Sequence, residues 1–348
     1  MMGATYVKNL SRYALSWCIA SALLASCGGT QPPIGGPGAI SYTSVVATRP
    51  QFARSRILPN ATRDDLLYVS NTWYSHTGVT IYDLRSTKLV GTITGLALPA
   101  GLCSDSSGNV YVADEGRGQI FEYAHGGTEP IKMLNDPSGY PVACSFDNTT
   151  GNLEVTDGES GVLIYEAASG TPTWYYNYRF GSYNFAAYDN RGNLVVDGEG
   201  ESGPQFAELP KGGGTLINIK LNAQVVSPEG VSWDGKYFAI CDLGQRPNAI
   251  DAFSVSGSTG TLERTVALDD SVTLLGLTIS SFGYSRHAPR RKEVIAADMN
   301  DGFRKGYVWY WNYPKGGMPI EKITQGVREP VGVAVSEGRE LSIGAERP

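Results

Sequence analysis

Six oxygen-bearing residues recur along the chain, Asn71, Asp114, Asp157, Asp197, Asp242 and Asp298, at spacings of 43, 43, 40, 45 and 56 residues. Carboxylate and amide oxygens suit calcium, so a repeated aspartate invites a metal reading. Positions spread around a repeat array diverge, however. An aspartate that closes a strand most simply accepts the N–H groups of a neighbouring turn. A second set is Asn184, Glu229 and Glu329, each at the entry of a strand. In a ring of repeats such residues point toward the axis, where three oxygen ligands could share one calcium ion; the other expectation is a rim of carboxylates in water. Base and nucleophile chemistry is poorly supplied. The chain has only His76, His125 and His287, and no Gly-x-Ser-x-Gly elbow, metal-spaced histidine pair or phosphate loop.

The elements that position these residues are short strands. Gly101 to Leu134 contains Leu102–Ser104, a turn at Asp105–Asn109, Val110–Ala113 stopping at Asp114, a second turn, Gln119–Tyr123, a turn at His125–Gly127 and Ile131–Leu134. That is a four-stranded meander in about forty residues. It cannot bury both faces alone and needs copies of itself beside it. The pattern recurs from Leu66. Third strands hold Ile81-Tyr82, Ile120-Phe121, Ile164-Tyr165, Phe206, Phe253 and Val308–Tyr310. Fourth strands follow at Leu89–Thr94, Ile131–Leu134, Thr173–Tyr178, Thr215–Leu221, Thr261–Leu268 and Ile320–Thr324, one of them after a turn at Thr259-Gly260. First strands precede all but the first repeat, and the spare strand Val331–Val335 lies at the other end. A ring closed by that strand has no free edge. The expectation is all-β, a six-bladed β-propeller over residues 64–348, with seven blades as the alternative if Glu340–Ile343 joins Ile40–Ala47. The 43 glycines, 19 prolines and 41% apolar content fit many short strands.

Gly108-Asn-Val-Tyr-Val-Ala-Asp114, preceded by Leu98-Pro-Ala-Gly-Leu102, resembles the NHL-type propeller repeat, with weaker copies at Gly151–Asp157 and Gly192–Asp197. The Asn-His-Leu that follows the aspartate in that family is absent. The resemblance implies a scaffold used for binding, with a few lyases among its kind. Asn184, Glu229 and Glu329 also look like the ligand set of calcium-dependent lactonases of the gluconolactonase type. That likeness implies the alternative function, a metal-dependent hydrolase, lactonase or lyase at the axis.

The leader carries Lys8 and Arg12, then Tyr13–Leu24, an apolar stretch too short to span a bilayer. It ends in Leu24-Ala-Ser-Cys27, which resembles the lipobox of bacterial lipoproteins. The resemblance implies cleavage after residue 26, a lipid on Cys27, and residues 27–63 as a Gly/Pro-rich tether holding the domain at the cell envelope. The alternative is an ordinary secretory signal. Losing Lys8 and Arg12 changes 28 basic against 34 acidic residues to 26 against 34, a net charge of −8. An acidic chain is a poor partner for nucleic acid.

Strand order puts the repeated aspartates, the strand-entry residues and the turns around Trp73 and Tyr74 on one acidic face, called the top. There, Tyr183, Asn184, Phe185, Glu229, Glu329, Trp73 and Tyr74 form the candidate ligand surface, for a protein or an envelope glycan bound by a monomer. Trp174–Tyr178 and Trp309–Trp311 read as packing between blades. Arg286, Arg290, Arg291 and Lys292 form a charged run on the bottom, either solvated or facing anionic lipid. Cys103, Cys144 and Cys241 are expected to be buried thiols, because inner strands that splay around a channel hold their Cα atoms too far apart for a bridge.

Overall fold

The computed structural model describes residues 54–72, 77–244, 247–269, 274–282, 291–299 and 306–338. The leader, Cys27, the tether to residue 53, Ile40–Ala47, Trp73, Tyr74, His76, Arg286, His287, Arg290, Asp301 and Glu340–Ile343 lie outside the described residues. Six antiparallel four-stranded sheets follow one another, two of them with an added short edge strand. They form a six-bladed β-propeller. The inner strands, blades 1 to 6 in turn, are Pro330–Ser336, Pro99–Ser104, Pro141–Asp147, Ser182–Tyr188, Pro228–Trp233 and Leu274–Phe282. Each packs on the next and the sixth packs on the first. The C-terminal strand pairs with Leu66–Asn71, so blade 1 is built from both ends of the domain, as its missing first strand required.

No single core holds the ring together. Six apolar clusters fill the six seams between blades. Leu66–Asn71 illustrates why. Leu66 and Tyr68 enter the seam with blade 2, while Leu67 and Val69 enter the seam with blade 6. A strand buried on both faces reads as a continuous apolar run rather than an alternation. Trp311 and Tyr310 are buried, as expected of packing residues.

Toward the axis the inner strands touch backbone to backbone. A Cβ built on Gly101 would lie 2.5 Å from the Ala143 Cα, and one on Gly332 would lie 2.5 Å from the Ala100 carbonyl oxygen. Glycine and alanine at these places let blades 1, 2 and 3 approach further than a splayed channel allows. The consequence corrects the cysteine expectation. Cys103 and Cys144 form a disulfide, with Cα atoms 5.6 Å apart, and Cys241 is buried outside any disulfide.

Smaller differences lie at the outer edges. The outer strand of blade 3 stops at Tyr175 rather than Tyr178. The stretch expected at Thr215–Leu221 divides, Ile217–Asn218 pairing within blade 4 and Lys220–Leu221 running parallel to the outer strand of blade 5. In blade 5 the third turn is Gly257-Ser258, two residues before the predicted place, with Gly257 at φ 56°. That is a left-handed conformation glycine adopts without strain. Arg56–Ile57 pairs with the outer strand of blade 1, so ordered chain begins before Asp64.

Candidate functional site

The recurring residues close the second strands; in blades 1, 2, 3 and 5 their oxygens accept from backbone N–H groups, whereas Asp298 in blade 6 accepts from the Trp309 indole N–H at 2.9 Å. Asp114 accepts from Ala97 and Leu98 at 2.7–3.2 Å. Asp242 accepts from Val226, Ser227 and Gly244, and Asp157 from Tyr140, Glu159 and Ser160. Asn71 does the same with Arg328, at 2.7 Å. Each ties its strand to the link that enters the inner strand of its own blade. The bracket is a fastener. Asp114→Ala is expected to cost about 1–2 kcal/mol of unfolding free energy, like loss of a helix cap, measured by denaturant titration.

Above these brackets every inner strand has a bulge. Between Pro99 and Leu102, Pro228 and Val231, and Tyr183 and Ala186, the register slips against the second strand. A bulge re-aims the side chains it contains. It contains Asn184 of blade 4 and Glu229 of blade 5, in neighbouring inner strands. Glu329 lies two positions short of the place Glu229 takes, since Pro330, like Pro228, faces the closing residue of its second strand. Glu329 sits in the link instead, at φ 45°, with its carbonyl accepting from Thr72. Among the described residues no group of three or more His, Cys, Asp or Glu could hold a metal ion.

Glu229 is half-buried, and its Oε1 lies 3.5 Å from the Ser227 hydroxyl. Burial, with the negative charge of Glu199 nearby, pushes its carboxyl up to about 7 despite that hydroxyl. Asp197 stands beside both and is fully buried. Its Oδ1 accepts from the Phe185 N–H at 2.7 Å, while its Oδ2 has no partner. Burial raises its carboxyl well above the usual range. Burial also raises Glu329. Burial thus raises the carboxyls of Glu229, Asp197 and Glu329 alike.

The aromatic residues divide differently from expectation. Tyr183 is buried and stacks on Phe180 with ring centroids 4.8 Å apart, and its hydroxyl accepts from the Asn177 N–H and donates to the Asn177 carbonyl. It is a packing residue. Phe185 packs in the seam between blades 4 and 5. Of the predicted Tyr183–Phe185 link, Asn184 and Phe185 both stay partly open, and only Tyr183 is fully enclosed. The rings that do face solvent were assigned to packing: Trp174, Tyr176 and Tyr178 are 38%, 78% and 85% exposed. The signal that could have found them is the alternation in Trp174–Tyr178, whose odd members Tyr175 and Asn177 turn inward.

The fold is that of a six-bladed β-propeller, and the sequence of one of its blades is similar to the NHL repeat. Residues 96–123, which run from the entry of blade 2 through its third strand, match the NHL repeat family. The human NHL-repeat-containing protein 4 is 39% identical over 71 residues, 20% of this chain and 54% of that protein. This chain spans about half the length of that curated relative. A chain from a nidogen/laminin complex superposes with TM-score 0.61 at 13% identity, covering 79% of this chain and all of the other. A Bacteroides caccae protein of unknown function gives 0.56 at 12% identity, covering 80% of this chain and all of the other. These structures share the fold.

Proposed function

We propose that this chain is a binding module held on a bacterial envelope surface by a lipid on Cys27, which engages a protein or an envelope glycan through the top mouth of its propeller. The observation that carries the reading is the Cys103–Cys144 disulfide. Structural disulfides belong to oxidising compartments, so the bridge supports export, in agreement with the lipobox-like leader. Binding rather than catalysis is supported by the NHL repeat, by the paucity of histidine, and by aspartates already committed to backbone. The ligand surface comprises Asn184, Glu229 and Glu329 with the Trp73-Tyr74 turn. The acidic charge disfavours nucleic acid, and the protein acts as a monomer.

The test is in two parts. Fatty-acid labelling in a bacterial host should mark the wild type and miss Cys27→Ala; equal labelling removes the anchor. Envelope extract passed over Cys27→Ala protein should leave a retained protein or glycan that Asn184→Ala with Glu229→Gln no longer holds. Equal retention removes the mouth. Because Glu229 ionises near pH 7, a ligand that contacts its carboxylate binds more tightly at pH 8 than at pH 6, and Glu229→Gln abolishes the difference.

That same proton affinity favours a second reading, a hydrolase, lactonase or lyase at the axis with Glu229 as acid or base, since a catalytic carboxyl works best near the ambient pH. In its metal-dependent form Asn184, Glu229 and Glu329 hold calcium. Calcium-dependent melting lost in Glu229→Gln supports it; melting indifferent to calcium and EDTA removes the metal.

A further inference from the structure

We infer that the outer rim between blades 3 and 4 is a second binding site, which stacks a neutral pyranose glycan on Trp174, Tyr176 and Tyr178. Among the described residues, the exposed large apolar side chains of the other blades are all aliphatic, at Leu58, Ile131, Met133, Ile217, Val226, Met318 and Ile320. The exposed aromatic ones fall in one five-residue stretch, on alternate positions. Leaving three large rings in water costs stability unless a ligand covers them.

The residues between the rings hold the backbone still. Tyr175 packs into the blade 3–blade 4 seam. Asn177 is buried, and its side-chain amide donates to the Leu216 carbonyl at 3.2 Å and to Asn218 Oδ1 at 3.0 Å, while its Oδ1 accepts from the Arg179 N–H at 3.1 Å. Its backbone is clamped by the Tyr183 hydroxyl. A backbone fixed on both sides of each exposed tyrosine lowers the entropy lost when a ligand settles on the rings.

Charge and shape select the ligand class. Ala167 to Tyr178 contains no Asp, Glu, Lys or Arg, in a chain where such residues make up 18%. A stretch without charge complements an uncharged ligand, and the net charge of −6 works against anionic polysaccharide and nucleic acid. A protein partner seats its anchors in pockets, and a polyproline segment lies in a groove between aromatic rings. Tyr176 and Tyr178 instead stand proud of the rim. An open ring face suits the apolar C–H face of a sugar ring, while the tyrosine hydroxyls and exposed Thr173 and Arg179 offer hydrogen bonds to its edge. This site is independent of the axial mouth.

The experiment uses the purified full-length protein titrated with chitohexaose and cellohexaose, followed by tryptophan fluorescence and calorimetry. At least one hexasaccharide should bind, and Trp174→Ala, Tyr176→Ala and Tyr178→Ala should each weaken it by roughly threefold or more, the triple variant abolishing it. Circular dichroism and melting of these surface variants should match wild type. Glu229→Gln should leave hexasaccharide binding unchanged, which separates this site from the axial mouth. The inference is overturned if neither sugar binds at about 10 mM, if the triple variant binds as wild type does, or if a polyproline peptide alone shows the ring dependence.

Discussion

Cys103→Ala, Cys144→Ala and the double variant should each lose about 4 kcal/mol of unfolding free energy. That is the chain-entropy value for a bridge closing a separation of 41 residues. The loss acts chiefly through the unfolded chain, which regains the freedom the bridge denied it. Three checks identify the cause. The double variant should be no less stable than the single ones, because the bridge is one interaction. Wild type in reductant should unfold at the denaturant midpoint of the variants. The variants should be indifferent to reductant. Unchanged wild-type stability in reductant would show that the thiols are unbridged in solution, and would remove the main support for export. The same arithmetic predicts that the chain made in a reducing cytosol is a weaker fold than the exported one.

The second large effect centres on Glu154, a fully buried residue of blade 3 whose carboxyl oxygens have no close hydrogen-bond partner beyond the Ser145 backbone N–H that faces it across the strand pair. Burial raises its carboxyl well above the ordinary range. Tyr188 of blade 4 lies close by, with Asp147 and Tyr175 also acting on that phenol. The sign follows from proton counting. Once pH exceeds the ordinary carboxylate pKa, the unfolded chain has released this proton while the folded chain keeps it. Stability then falls with rising pH at about 1.4 kcal/mol per unit until the folded group also ionises. Glu154→Met, similar in volume and without polar atoms, should stabilise the propeller by about 1–3 kcal/mol at pH 7. It should also flatten the pH dependence by one proton, leaving the slope of the other raised carboxyls, Asp197, Glu229 and Glu329 among them. Denaturant titrations from pH 5 to 9 decide it. A Glu154→Met protein less stable than wild type at pH 8 would mean that the carboxyl has a partner the fold conceals.

Blades were legible because their chemistry is local. Turn residues at Asp105–Asn109, the apolar run Val110–Ala113 and the strand-closing Asp114 recur with nearby spacing, and each feature follows from a few neighbouring residues. The need for Val331–Val335 to close blade 1 was also legible, because a missing strand at one end matched a spare one at the other. The structural role of the repeated aspartates could be argued from their divergence around a ring, and the hydrogen bonds to Ala97, Leu98, Val226 and Ser227 give it its partners.

Side-chain direction was much less legible, because it depends on how blades meet. Tyr183 and Tyr176 are the same residue type seven positions apart, yet one is 3% and the other 78% exposed. The difference comes from the strand ending at Tyr175 and from Asn177 anchoring to blade 4, neither of which is encoded in spacing. Glu229 acquires its affinity for a proton from burial at the entry of blade 5 and from Glu199 on the neighbouring blade, so its chemistry belongs to a seam. The cysteine bridge was misread for a related reason. Generic splay of inner strands forbids it, and it is the backbone contact at Gly101 and Ala143 that permits it. Local pattern therefore determined the number of blades, their order and their fasteners, whereas only the packing of one blade against the next decided which rings reach solvent, which carboxyls hold protons and which thiols meet. Hydrogen-bonded turns and strand periodicity are properties of a few consecutive residues, but distance and burial between blades are properties of the closed ring.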